Sequence, residues 1–130
     1  MGRPGVEAPA NWDGIYFGPE AGDSMIRFGR IAHAGGGDLG FLDGVWRKAS
    51  VYIDQSAPTI QQTFVIKGQG EGVHLARSQS VIRDSLIAGH GRAGLVSRGS
   101  GRPQLTNLTV VDNQGDGVWS GMAPWRLAIR

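Results

Sequence analysis

Three stretches of the chain repeat one order of apolar, polar and glycine positions. Ile60-Gln61-Gln62-Thr63-Phe64-Val65-Ile66 runs through Gly68 and Gly70 to Gly72-Val73, and Ile82-Arg83-Asp84-Ser85-Leu86-Ile87-Ala88 runs through Gly89 and Gly91 to Gly94-Leu95. Leu105-Thr106-Asn107-Leu108-Thr109-Val110-Val111 leads in the same way to Gly117-Val118. The closing Gly-apolar pair returns after 22 and then 23 residues, a period that predicts stacked solenoid coils. Each unit is too short to enclose a core alone, so its buried face must be covered by the next. Period-two alternation places Val73, Leu75, Leu95 and Ser97 inward and His74, Ala76, Val96 and Arg98 outward. Gly72, Gly94 and Gly117 share one corner, where the bend is expected to demand backbone angles that a side chain resists. Pro58, Pro103 and Pro124 each open a strand, where no ladder hydrogen bond is lost.

Upstream the pattern loosens. Trp12-Asp13-Gly14-Ile15-Tyr16-Phe17 and Met25 to Ala32 read as strands, and Gly44-Val45-Trp46 reads as the second corner. Spacings of 30 and 28 between successive corners then imply loop insertions in the first two coils, with Gly35-Gly36-Gly37-Asp38 the favoured place for one. Residues 1–11, rich in Gly, Pro and Ala, form a lead-in segment, and 12–130 form the repeat domain. The expected fold is all-β, a right-handed parallel β-helix of about four to five coils. Trp125, Leu127 and Ile129 alternate with polar or small residues as a last strand, so the chain is expected to stop partway through a coil. Exposed solenoid ends then favour self-association or a capping strand, and a truncated gene product is the alternative.

The coil pattern resembles the right-handed parallel β-helix repeat family, the pectate-lyase-like solenoid superfamily, over roughly residues 12 to 125. The resemblance implies the fold and a cell-surface, periplasmic or secreted location, although no amino-terminal signal pattern is present. It also implies two functional readings. One is a non-catalytic module for structural association or for binding a glycan or surface; the other is a fragment of a polysaccharide lyase or epimerase acting on uronate polymers.

Composition narrows these readings. The 130 residues hold 22 Gly and no Cys, which excludes a disulfide framework and thiolate metal sites. A formal charge of +2, with Arg interspersed among Asp and Glu, does not point to nucleic acid, and no apolar run is long enough to span a bilayer.

Stacking the coils creates candidate rows. Tyr16, Trp46, His74, Val96 and Trp119 each follow an inward apolar residue, so they are expected to project from one sheet as an exposed row suited to stacking on sugar rings, to an interface or to a covering loop. Gln62, Asp84 and Asn107 occupy equivalent positions and are expected to form a structural ladder of side-chain hydrogen bonds from coil to coil, of the kind the family builds from Asn. Arg77, Arg98 and His74 are the ligand or catalytic candidates on the aromatic face, where no Asp or Glu is evident as a charge partner. His33 and His90 fall in turns and are expected to face solvent. Gly89-His90-Gly91-Arg92-Ala93-Gly94 matches a dinucleotide fingerprint in letters, but strand rather than helix follows it. Asp112-Asn113-Gln114-Gly115-Asp116-Gly117 resembles half of a calcium loop, yet Ala123 stands where the closing Glu belongs. The expectation is therefore no cofactor, with a weak calcium site as the alternative to plain turn chemistry.

Overall fold

The computed structural model describes residues 12–120 and the backbone of 127–129. The lead-in segment, Ala123, Pro124 and Trp125 lie outside the described residues. The chain is a parallel β-helix, without helix among the described residues. One sheet stacks β1 (Ile15–Phe17), β6 (Ala49–Asp54), β9 (Glu71–Ala76), β11 (Leu95–Arg98) and β13 (Val118–Ser120), in that order and all parallel. The returning sheet holds β2 (Met25–Arg27), β3 (Arg30–Ala32), β7 (Thr59–Gln61), β8 (Phe64–Ile66), β10 (Val81–Ala88), β12 (Gln104–Val111) and β14 (Leu127–Ile129). β2 with β7 and β3 with β8 align separately against the two halves of the longer β10.

Register converts the repeat into rows. Ile15, Val51, Val73, Leu95 and Val118 stack along the first sheet. Facing them are the rows Ile26, Ile60, Ile82, Leu105 and Ile31, Val65, Ile87, Val110. These rows supply most of the single apolar core. Burial of each such side chain contributes about 1.5–3 kcal/mol, opposed by the chain entropy lost in every turn.

Three corners per coil are turned by residues of positive φ, and they too form columns. Phe28, Gln62, Asp84 and Asn107 make one, with φ between 51° and 58°; His33, Lys67, Gly89 and Asp112 make the second; Gln55, Arg77 and Gly99 make the third. Asn and Asp tolerate this conformation because their short side chains bond locally, whereas Phe28 adopts it with a bulky ring that is 70% exposed.

Several expectations change. Gly44-Val45-Trp46 is not a coil corner. The chain there forms an antiparallel hairpin of β4 (Gly40–Leu42) and β5 (Val45–Arg47), joined by Asp43 and Gly44 with φ of 53° and 79°. Positive φ at both central residues is the two-residue turn whose twist matches a hairpin. The second corner is instead Ser50-Val51, with Ser50 where other coils carry Gly. The insertion follows Gly35 to Gly37, as expected, but only the first coil contains one, since Val51 precedes Val73 by the regular 22 residues. About three regular turns therefore stack, fewer than the four to five expected.

The glycine corner also has a different cause. Gly72 and Gly94 do not adopt positive φ; they are crowded by the next coil. A Cβ on Gly72 would collide with the carbonyl of Gly94 and with Ile87, and one on Gly94 would meet Val110 and the amide of Asn113. Gly117 has only Val110 at 4.0 Å. Gly72→Ala and Gly94→Ala should each cost about 1–3 kcal/mol in urea denaturation through overpacking, while Gly117→Ala should stay within about 0.5 kcal/mol. Equal effects at all three positions would contradict the crowding argument.

Candidate functional site

The outer face of the first sheet carries the chemistry. Its row is Tyr16, Tyr52, His74, Val96 and Trp119, so Tyr52 takes the place expected of Trp46. Trp46 instead lies in the hairpin, edge-on to Phe41 at 5.3 Å, and is 61% exposed. The row is not open along its length. Tyr52 and His74 are buried, with Tyr52 covered by Leu39 and Leu42 of the hairpin segment, which also pack on Ala49 and Ala76. Tyr16 and Trp119 remain 42% and 43% exposed at the two ends. Successive rings touch: Tyr16 lies 5.9 Å from Tyr52, and Tyr52 stacks on His74 at 4.5 Å with planes 14° apart.

Carboxylates missing from the expected picture are present. Asp43, at the tip of the hairpin, accepts from both Arg77 (Nη1 at 3.1 Å) and Arg98 (Nη2 at 2.6 Å). Asp54 accepts from Arg77 Nη2 at 2.8 Å and from the Tyr16 hydroxyl at 3.3 Å. Arg98 also donates through Nη2 to the Tyr52 hydroxyl at 2.8 Å and through Nε to His74 Nε2 at 2.9 Å. Since His74 Nε2 must accept, Nδ1 carries the proton and donates to Glu71 Oε1. Hydrogen bonds from Arg98 and then Arg77 hold the Asp43 carboxyl at about 2, well below its ordinary 3.8. Burial pushes the Tyr52 phenol up, against the opposing pull of the Arg98 guanidinium.

Beside this network Trp119, Arg47, Arg98, Glu71, Asp116 and His74 line a shallow cleft of about 290 Å³. Arg47 comes from the hairpin, so the insertion forms one wall. Arg77, Asp43 and Asp54 sit beyond it, and Trp46 and Tyr16 do not line it.

The remaining sequence candidates lie elsewhere. Gln62, Asp84 and Asn107 occupy an exposed corner column, where Asn107 Nδ2 donates to Asp84 Oδ1 at 2.8 Å. His90 does not face solvent: it is 1% exposed, with Nε2 donating to the Val65 carbonyl at 2.8 Å and Nδ1 accepting from the Gly68 amide at 3.2 Å. Asn113 accepts from the His90 amide at 2.9 Å. In the fingerprint-like tract the amides of Gly89, Gly91, Arg92 and Gly94 donate to carbonyls of adjacent coils, so they serve the stack and not a phosphate. Among the described residues, no three His, Asp or Glu converge as metal ligands, and Asp112 and Asp116 belong to a turn.

Sequence reasoning missed Asp43, Tyr52, Asp54 and Glu71. Asp43-Gly44, flanked by Phe41-Leu42 and Val45-Trp46, is the strongest short hairpin signal in the chain and points to the first of them. Comparison with protein-family models, curated proteins and solved structures finds no match to this chain.

Two pH effects follow. Burial lowers the His90 pKa below 6.5, so the unfolded chain binds the extra proton first. Its contribution to stability is complete above about pH 6.5 and declines as pH falls below it; denaturation midpoints of wild type and His90→Asn between pH 7 and 5 should show the slope only in the former. Asp43, depressed to about 2, holds the hairpin fully above its ordinary 3.8 and loses that hold as pH falls toward 2. Amide resonances of residues 39–47 should shift in that window ahead of those of β9 and β10.

Proposed function

We propose that this chain is a non-catalytic β-helix module that binds a saccharide in the cleft beside Trp119. The observation that carries this reading is the pairing of a half-exposed indole with a surround of guanidinium and carboxylate groups from Arg47, Arg98, Glu71 and Asp116. A flat ring supports the apolar face of a sugar, and fixed donors and acceptors at its rim meet the hydroxyls. The parallel stack supplies rigid backbone beneath His74, Val96 and Trp119, which limits the ordering cost of binding.

The alternative, a polysaccharide lyase or epimerase fragment, requires a base free to reach a substrate proton. Both ring nitrogens of His74 are already engaged, Tyr52 is buried with its hydroxyl on Arg98, and Arg77 and Arg98 are held by carboxylates. That commitment favours a surface that binds over one that turns over. Association between copies through the solenoid ends is the structural part of the same reading, and sedimentation velocity measures it.

Screening neutral and acidic oligosaccharides by calorimetry should find ligands whose affinity falls about five- to tenfold in Trp119→Ala, in keeping with a lost stacking face worth about 1–1.5 kcal/mol. Trp46→Ala should bind as wild type does. Unchanged affinity in Trp119→Ala would remove the cleft from consideration.

A further inference from the structure

We infer that the fork formed by Arg77 and Arg98 is a latent anion site, occupied in cis by Asp43, and that an acidic saccharide bound in the neighbouring cleft displaces the hairpin to reach it. The inference rests on the saccharide reading and adds to it the charge of the ligand and a moving part.

The hairpin has a small attachment. Its two strands pair only with each other, and a lone two-stranded hairpin is marginal in water. It meets the solenoid through Leu39 and Leu42, which are only partly buried, through Arg47 at the cleft wall and through the side chain of Asp43, which carries its ion pairs to Arg77 and Arg98. Phe41, Val45 and Trp46 add little to that attachment, each being about half or more exposed.

Charge identifies what replaces it. Two guanidinium groups face two carboxylates, Asp43 and Asp54, but of the two arginines Asp54 bonds only Arg77. When Asp43 leaves, Arg77 keeps a partner, and Arg98 loses its one carboxylate partner among the described residues while remaining tied to Tyr52 and His74. The vacated position is a partly shielded guanidinium aimed at a carboxylate-sized space, the geometry that favours a planar anion. Uncovering it also exposes the Tyr52 ring, which continues the aromatic face from His74 toward Tyr16. Arg98 lines the cleft and the fork alike, so a ligand seated beside Trp119 extends into the opened site without leaving the sheet. The ring faces select an acidic saccharide over an acidic peptide.

Asp43→Asn tests this with little disturbance, because Asn-Gly suits the same turn and removes only the charge. Calorimetry would compare a glucuronate-containing oligosaccharide, its carboxyl-reduced neutral counterpart and polyglutamate. The expected result is about a tenfold rise in the acidic-to-neutral affinity ratio in Asp43→Asn. In wild type, resonances of residues 39–47 should shift with the acidic sugar and not with the neutral one. An unchanged ratio, or a hairpin that stays in place with acidic ligand bound, would overturn the latent site while leaving Trp119-dependent saccharide binding intact. Binding of polyglutamate with the same gain would overturn the saccharide assignment, and absence of binding to either sugar would remove both this inference and the reading it rests on.

Discussion

Vertical register governs this molecule. Strands of one coil bond to the coils above and below, so each inward residue meets its equivalent 22 or 23 positions away. Matched strand register, not equal coil length, is the condition for that arrangement, because a strand slipped by one residue would turn its Val or Leu toward solvent. The corners enforce it. Columns of positive φ fix where each strand ends, and glycines at Gly72 and Gly94 allow neighbouring coils to approach closer than any side chain permits. Polar groups inside the stack are matched in the same vertical sense: His90 bridges the Val65 carbonyl and the Gly68 amide, and the Thr63 amide donates to Ser85 Oγ.

The candidate site arises where that regularity is interrupted. One insertion covers the middle of a ring row that would otherwise be open, leaving Tyr16 and Trp119 as its exposed ends. The insertion brings Asp43 to two arginines of successive coils, Arg77 at the corner after β9 and Arg98 at the end of β11. A repeated scaffold thus supplies the cations and rings, and an irregular segment supplies the counter-charge and one wall of the cleft.

This division explains what could be read in advance. Periodicity in residues 60–118 is strong because three copies agree, and it yields the parallel stack, the inward rows and the outward positions of His74, Arg98 and Trp119. It fails at Ser50, where serine replaces the corner glycine, so the nearest Gly-apolar pair, Gly44-Val45, is mistaken for the missing corner. Displacing the strand from Ala49–Asp54 hides Tyr52 and Asp54 and puts Trp46 in their row. His90 is misjudged for another reason: its turn is polar in composition, but the ring turns inward against the preceding coil, where it bonds Val65 and Gly68. Partners such as Asp43 with Arg98, 55 residues apart, are set by how an insertion folds back, which no repeat encodes.

The inserted hairpin has one more consequence. The first coil runs 36 residues from Ile15 to Val51 against 22 for the next, and 12 of the 14 extra residues fall between Ile31 and Val51, leaving and rejoining the winding without altering the rows on either side. Such a segment is separable from its support: its length and composition are free to change while the layers beneath keep their pitch. Under the proposed saccharide reading, redesign of 37–48 alone would remodel one wall of the cleft while the stacked rows beneath stay in place.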